Sequence, residues 1–283
     1  MNGSVDILRR PLVVLAASGL LLSACDRPER TEAPVDATPV IEAPLAPRIV
    51  PAPLTLDRRT LLDGLRRAAS NYASGVRPQG VDALVGKPFS VVTAFGCRGP
   101  EPVAEGQAEG LARWSWAPER RAIQLSMTPG DWTRSALIVG AGGGDESWEA
   151  VEGFWIPRPW MEDGGCPALA ADPLASGPVA PSPQTVGLAA VFDADGSRVE
   201  RRNGRAYAYS VRPEGEAETV AAPADGYRLR LEGRVAAFPD GRAIRCRATG
   251  PDQRPVCIAA VRLDRVAFED SAGETLSEWR IGG

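Results

Sequence analysis

Side chains able to do chemistry are concentrated between Trp148 and Asp163, where Glu149 and Glu152 stand three residues apart among Trp148, Phe154, Trp155 and Trp160. A glycoside hydrolase needs little more than two acids about 5 to 9 Å apart, one to protonate the leaving group and one to act as nucleophile or base. Flat aromatic faces beside carboxylates can also stack on sugar rings or hold a cationic group without breaking any bond. Alternating aromatics in a β protein are more often core, however, and Pro-flanked tryptophans often merely cover a sheet edge, so core is the favoured reading and a ligand platform the alternative. The chain has no histidine, which removes Ser-His-Asp and Cys-His catalysis, His-ligated zinc and His-based pH switching. An enzyme built from it is left with carboxylates, Ser, Tyr, Arg and Lys87. Nothing in the sequence sets Glu149 and Glu152 apart from the other acids, so the segment reads as a ligand platform before it reads as a catalytic site.

Three motif-like stretches fail on spacing. Gly140-Ala141-Gly142-Gly143-Gly144-Asp145 follows an apolar run, but a dinucleotide-binding turn needs a small residue at 145 and a helix after it; Asp145 and Glu146 put negative charge where pyrophosphate would sit. Asp193-Ala194-Asp195-Gly196 looks like the middle of a calcium loop, yet the first ligand position falls on Val191 and the closing glutamate on Arg202. Lys87 and Ser90 are three apart in the wrong order for a Ser-x-x-Lys pair. No cofactor and no metal are expected. The acidic balance, a formal net charge of -4, lacks the basic footprint of a nucleic-acid binder.

Cysteine usage is more informative. Leu22-Ser23-Ala24-Cys25 closes an apolar stretch from Leu12 to Leu22 that follows Arg9 and Arg10. The stretch is too short to span a bilayer and has the three zones of an export signal. The tetrad resembles the lipobox of bacterial lipoproteins. That resemblance implies cleavage before Cys25, diacylglycerol on its sulfur and a further chain on its amine, which together anchor a protein firmly to a membrane. Asp26, at the position after the modified cysteine, leaves inner against outer membrane undecided. Residues 1–24 are then a signal peptide. The even set that remains, Cys97, Cys166, Cys246 and Cys257, is expected to form two disulfides in an oxidising compartment. Four cysteines allow three pairings. Cys246 with Cys257 is favoured, because the turn formers Gly250, Pro251 and Pro255 lie between two β-like runs, and Cys97 with Cys166 would follow. A four-thiolate metal site lacks any pair spaced two to four residues apart.

The elements that position these residues follow from periodicity. Residues 25–53, with seven prolines, read as a disordered tether that could reach about 85 Å at ~3.1 Å per residue. From Thr55 to Ser74, Leu61, Leu62, Leu65, Ala68, Ala69 and Tyr72 recur at helical steps with arginines opposite, and Gly75 suits the C-terminal cap. Period-two runs follow: Phe89 to Phe95; Trp114 and Trp116 turning into Ile123, Leu125 and Met127; Val151 to Ile156; Thr185 to Phe192; Arg205 to Val211, with Tyr207, Tyr209 and Val211 on one face; Tyr227 to Leu231; Ala243 to Cys246; and Val256 to Glu269. In the last, Val261 and Leu263 have one parity, and Val266 and Phe268 the other, so a bulge near Asp264-Arg265 is expected. The predicted fold is mainly β: an antiparallel sandwich, or two small packed β units, with one N-terminal amphipathic helix. The units would be 54–166 and 185–283, the second an antiparallel meander, joined by a Pro/Ala-rich connector at 167–184. The functional expectation is a lipid-anchored, non-catalytic module of the cell envelope, facing the periplasm. It would bind a glycan, a peptide or an envelope protein, or stabilise an assembly. A carboxylate-dependent cell-wall hydrolase and an inhibitor of such an enzyme are the alternatives.

Overall fold

A computed structural model describes residues 54–97, 99–100, 109–117, 121–139, 148–167, 184–196, 201–213, 215 and 220–281. The tether, the Gly140–Asp145 stretch and nearly all of the connector lie outside them, as does Cys25.

Helix α1 (Arg58–Ala73) starts at Asp57, whose carboxylate accepts the Thr60 N–H at 2.8 Å, a standard N-cap that satisfies one of the first turn's unpaired donors. It ends where Gly75 takes φ +67°, with Gly75 N–H bonded to Tyr72 O and Val76 N–H to Asn71 O, the Schellman arrangement that favours glycine. Leu61, Leu62 and Leu65 are buried. Thr55 and Leu56 fall outside the helix: Leu56 forms a parallel bridge with Phe89 instead.

The rest is mainly β. Eight strands form one sheet: β1 (Pro88–Phe95), β4 (Gly130–Asp131), β5 (Ala150–Trp155), β6 (Val186–Phe192), β8 (Tyr227–Val235), β9 (Ile244–Arg247), β10 (Val256–Glu269) and β11 (Thr275–Arg280). Three antiparallel strands, β2 (Ala112–Trp116), β3 (Ile123–Met127) and β7 (Tyr207–Val211), form a second. A short helix, α2 (Ala136–Val139), follows β4. The main core lies between the sheets and under α1, filled by Phe89, Trp114, Leu125, Phe154, Leu188, Tyr207 and Phe268 among others. A smaller core of Trp132, Ile138, Trp148, Phe238, Ile258 and Ala260 covers part of the large sheet's other face.

β10 organises the large sheet. Its first half lies between β9 and β6, its second half between β8 and β11. The expected bulge is present: pairing with β8 shifts between Leu263 and Arg265, so Val261, Leu263, Val266 and Phe268 all reach the main core.

Two expectations are corrected. β6 pairs with β10 in parallel, Val186 opposite Cys257 through Ala190 opposite Val261, so residues 185–283 are not an antiparallel meander. Both strands are apolar on both faces, as parallel strands inside a sheet are, and β7 leaves for the second sheet before the chain returns. Nor do 54–166 and 185–283 build separate sheets, since β1 pairs with β8, β5 with β6 and β3 with β7. The disulfides are Cys97–Cys166 and Cys246–Cys257.

The outer edge of β1 is covered rather than left open. Leu56 exchanges hydrogen bonds with Pro88 O and Ser90 N–H, and Ala94 N–H donates to Gly164 O at 2.7 Å. The loop that supplies Gly164, residues 156–166, is tied at its end by Cys97–Cys166 and at its middle by Arg58. That arginine, only 6% exposed, donates to Pro157 O at 2.8 Å, Arg158 O at 3.0 Å, Met161 O at 3.1 Å and Val92 O at 3.5 Å. Burial, with Arg158 adding to it, lowers the guanidinium to about 10, so it stays charged at neutral pH. The helical pattern placed the arginines on the solvent face; Arg58 departs from it because the first turn abuts a loop whose Pro157, Arg158 and Met161 carbonyls converge on it. Arg58→Met, which keeps the bulk and removes the donors, is expected to cost about 3 kcal/mol by urea denaturation, since hydrogen bonds to a charged group contribute about 1.5–3 kcal/mol each and the Pro157 and Met161 carbonyls lose this donor. Arg58→Lys should recover less than half, because an ammonium cannot fork among the three loop carbonyls.

Candidate functional site

The strand period decides what becomes of the Trp148–Asp163 segment. Successive side chains of β5 point to opposite faces, so Phe154 enters the main core, fully buried, while Trp155 stacks on Trp132 with ring centroids 4.5 Å apart and is packed against the smaller core. Trp148 lies in that smaller core against Phe238. Gly153 makes room for the Trp132 ring: a Cβ there would fall 2.0 Å from it. Trp160 alone is well exposed, 60%, on the loop that Arg58 holds. The four aromatics therefore do not form one platform: Trp148 and Phe154 are core, the favoured reading of their alternation, and the platform alternative is corrected.

Glu149 and Glu152 do converge, but on a segment of the protein itself. Glu149 Oε1 pairs with Arg201 at 3.0 Å. Glu152, 6% exposed, uses Oε1 to accept the N–H groups of Arg202 at 2.6 Å and Asn203 at 3.0 Å. Those two donors are aligned by a tight turn in which Asn203 and Gly204 take φ +51° and +77°, conformations that Asn and Gly tolerate best. Arg202 then returns along the turn, donating to Arg205 O and Ala206 O, with its guanidinium 4.6 Å from the centre of the Tyr207 ring. Sequence reading put Tyr207 on one strand face with Tyr209 and Val211 but missed Arg201 and Arg202; the turn-forming pair Asn203-Gly204 just before β7 was the available signal.

The electrostatics of this cluster are those of a buried acid. Glu152 shares its face of β5 with Phe154 and so points between the sheets. Burial raises its carboxyl above the usual range, and the N–H groups of Asn203 and Arg202, then the charges of Arg202 and Arg201, only partly oppose it. The Tyr207 hydroxyl is raised in turn, by burial first and by Glu152 second. Glu152 Oε2 and the Tyr207 hydroxyl are both buried with no hydrogen-bond partner. An acid of raised affinity for its proton beside an ion-paired carboxylate is the chemistry a general acid requires, but here the 201–203 backbone lies on the carboxylate that would have to meet a substrate.

Among the described residues no group of three or more His, Cys, Asp or Glu is placed to hold a metal ion, and no helix is long and apolar enough to cross a membrane. No family model, curated protein or solved structure matches the chain.

The raised Glu152 value has a definite sign for stability. Where the native carboxyl keeps a proton that the unfolded chain has lost, folding is penalised, so this group's contribution is most favourable below the unfolded pKa and declines as pH rises through the folded one. Glu152→Gln retains an oxygen for the Arg202 and Asn203 N–H groups and carries no charge. It is therefore expected to be at least as stable as the wild type at pH 7, with the difference closing toward pH 4 in parallel thermal melts. Glu149→Gln should instead lose about 1 kcal/mol at pH 7, as expected for a partly exposed ion pair.

Proposed function

We propose that this chain is a lipid-anchored, non-catalytic protein of the bacterial cell envelope, in which a mainly β domain at the end of a Pro-rich tether serves as a binding or structural module. The observation that supports it is the pair of disulfides inside the fold, Cys97–Cys166 across the edge of β1 and Cys246–Cys257 between β9 and β10, taken with the lipobox-like Leu22-Ser23-Ala24-Cys25. Structural disulfides persist in oxidising compartments, and the tetrad supplies both a route there and a place to attach. By the chain-entropy account, closing a 69-residue loop contributes about 4 kcal/mol and an 11-residue loop about 3, so folding itself would depend on that compartment.

The non-catalytic half of the reading draws on the carboxylates. Glu149 and Glu152 are engaged by Arg201 and by the Arg202 and Asn203 N–H groups, and a retaining or inverting hydrolase needs both acids facing the substrate. The raised Glu152 carboxyl is the one observation that favours the carboxylate-hydrolase alternative, and it would require residues 201–203 to swing away.

Expression in a bacterial host fed an alkyne-bearing fatty acid should label the wild type and not Cys25→Ser, with the intact mass of the labelled form beginning at Cys25. An unlabelled wild type that retains residues 1–24 would refute the anchor. Incubation with purified peptidoglycan should release no soluble fragments. Release that disappears in the Glu149→Gln, Glu152→Gln double variant would establish the hydrolase instead.

A further inference from the structure

We propose that the outer edge of β9 is a docking site where an extended, acidic peptide adds to the large sheet as a further strand. This rests on the reading of the chain as a binding module, though not on its lipid.

The backbone geometry comes first. Among the described residues β9 pairs only with β10, antiparallel, with Cys246 opposite Cys257. In such a ladder, opposed residues alternate between pairs that exchange hydrogen bonds and pairs that do not. Ala260 N–H donates to Ala243 O at 2.9 Å, while Cys257 N–H points the other way, to Thr185 O at 2.9 Å. By that alternation Cys246 and Cys257 form a non-hydrogen-bonded pair, so the N–H and C=O of Cys246 face away from β10, as do those of Ala248. The Ala248 N–H confirms the direction, because it donates outward to the Tyr72 hydroxyl at 3.2 Å. A phenol oxygen from α1 there occupies the place of a neighbouring strand's carbonyl.

This edge opens into a groove of about 370 Å³ lined by Tyr72, Ala136, Leu137, Cys246, Arg247 and Ala248. α1 walls one side with Tyr72 and α2 the other with Ala136 and Leu137, so the floor is strand edge and the walls take alternate side chains of an incoming strand. Strand addition works in this way: main-chain bonds supply affinity and the walls supply selectivity. An unpaired edge is otherwise an aggregation hazard that proteins blunt with charge, and the charge present here selects the occupant.

Residues 242–254 carry Arg242, Arg245, Arg247 and Arg254 against Asp252, within a chain of net charge -4. Arg245 is held by Asp240 at 3.1 Å. Arg247 is exposed and donates to Ala136 O at the α2 wall. A second copy of the chain docking edge to edge would oppose arginine to arginine, whereas a peptide with acidic side chains toward α2 and apolar ones toward Tyr72 satisfies both walls. Anionic lipid headgroups could meet the arginines but would leave the Cys246 donor and acceptor unused.

The test uses the disulfide-intact full chain in detergent, with an acetylated and amidated hexapeptide alternating valine and glutamate as probe and its valine-lysine counterpart as control. Isotope-edited NMR should show the Cys246 amide shifted and slowed at least tenfold in hydrogen exchange on saturation with the glutamate peptide only. Arg247→Glu should weaken binding at least tenfold. Tyr72→Phe should strengthen it severalfold, because the Ala248 N–H then waits for a peptide carbonyl. Absence of any change at the Cys246 amide, binding of the lysine peptide equally well, or saturation by phosphatidylglycerol vesicles with the same Arg247 dependence would each overturn the proposal. Hydrolysis of a peptide or glycan would count against the binding-module reading itself, a failure distinguishable from silence at Cys246.

Discussion

One strand held in one register carries the molecule. β10 is paired along its length by four others, and its residues from Cys257 to Val261 are buried on both faces of the sheet. Side chains alternate with a period of two, so a slip by a single position would exchange the faces. In the second half that exchange would drive Arg265 and Glu269 into the core and expel Val266 and Phe268. Glu269 is already almost fully covered, and it is tolerable there because Arg230 grips both its oxygens and Arg228 lies 3.8 Å away; an unpartnered carboxylate in that position would cost several kcal/mol. The extra residue at Asp264 lets both halves satisfy the core at once, and the disulfide from Cys257 to Cys246 pins β9 beside it.

Most of the strands were legible in the chain because their alternation is local. Phe89 to Phe95, Tyr227 to Leu231 and the parity change inside Val256–Glu269 each announce a face without reference to anything distant. Pairing is another matter. The parallel contact of β6 with β10 is specified by two apolar runs far apart in the chain, and such runs do not say which neighbour lies on which side. β11, with Leu276 and Trp279 separated by polar residues, was missed because a short, half-exposed strand has little periodicity to offer. The aromatic segment was legible as core for the same local reason, since Phe154 and Trp155 must diverge on any strand, but alternation alone does not say which core each side chain enters. Arg58 could not have been found at all, since what distinguishes it from Arg59 is a loop a hundred residues away.

A common theme is that this protein uses charge to organise its own backbone. Arg58 gathers carbonyls from a covering loop, Glu152 gathers N–H groups from a turn, and Asp57 caps a helix. Arg58 and Glu152 are buried where several backbone dipoles converge on each of them, while Asp57 accepts one N–H from the surface. Such arrangements hold irregular segments in place where no ladder of main-chain bonds can reach them, which explains how residues 156–166 can lie against the edge of β1 without strand geometry of their own. The acids that looked chemically promising in the sequence belong to this internal economy, and the surfaces left over for recognition are edges and grooves.

The late position of β10 in the chain has a consequence for how the protein comes into being. β6, β8, β9 and β11 all border β10, so although β2 can pair with β3, β5 with β4 and β6, and β1 with β8, the eight-stranded sheet closes only once residues 256–269 are in place. Contacts between distant segments are slow to form and leave apolar runs such as Val186–Phe192 unprotected in the meantime. Removal of residues 256–280 would take away β10 and β11 and leave β6, β8 and β9 without the neighbour they share, so the two halves of the large sheet would have nothing to join them.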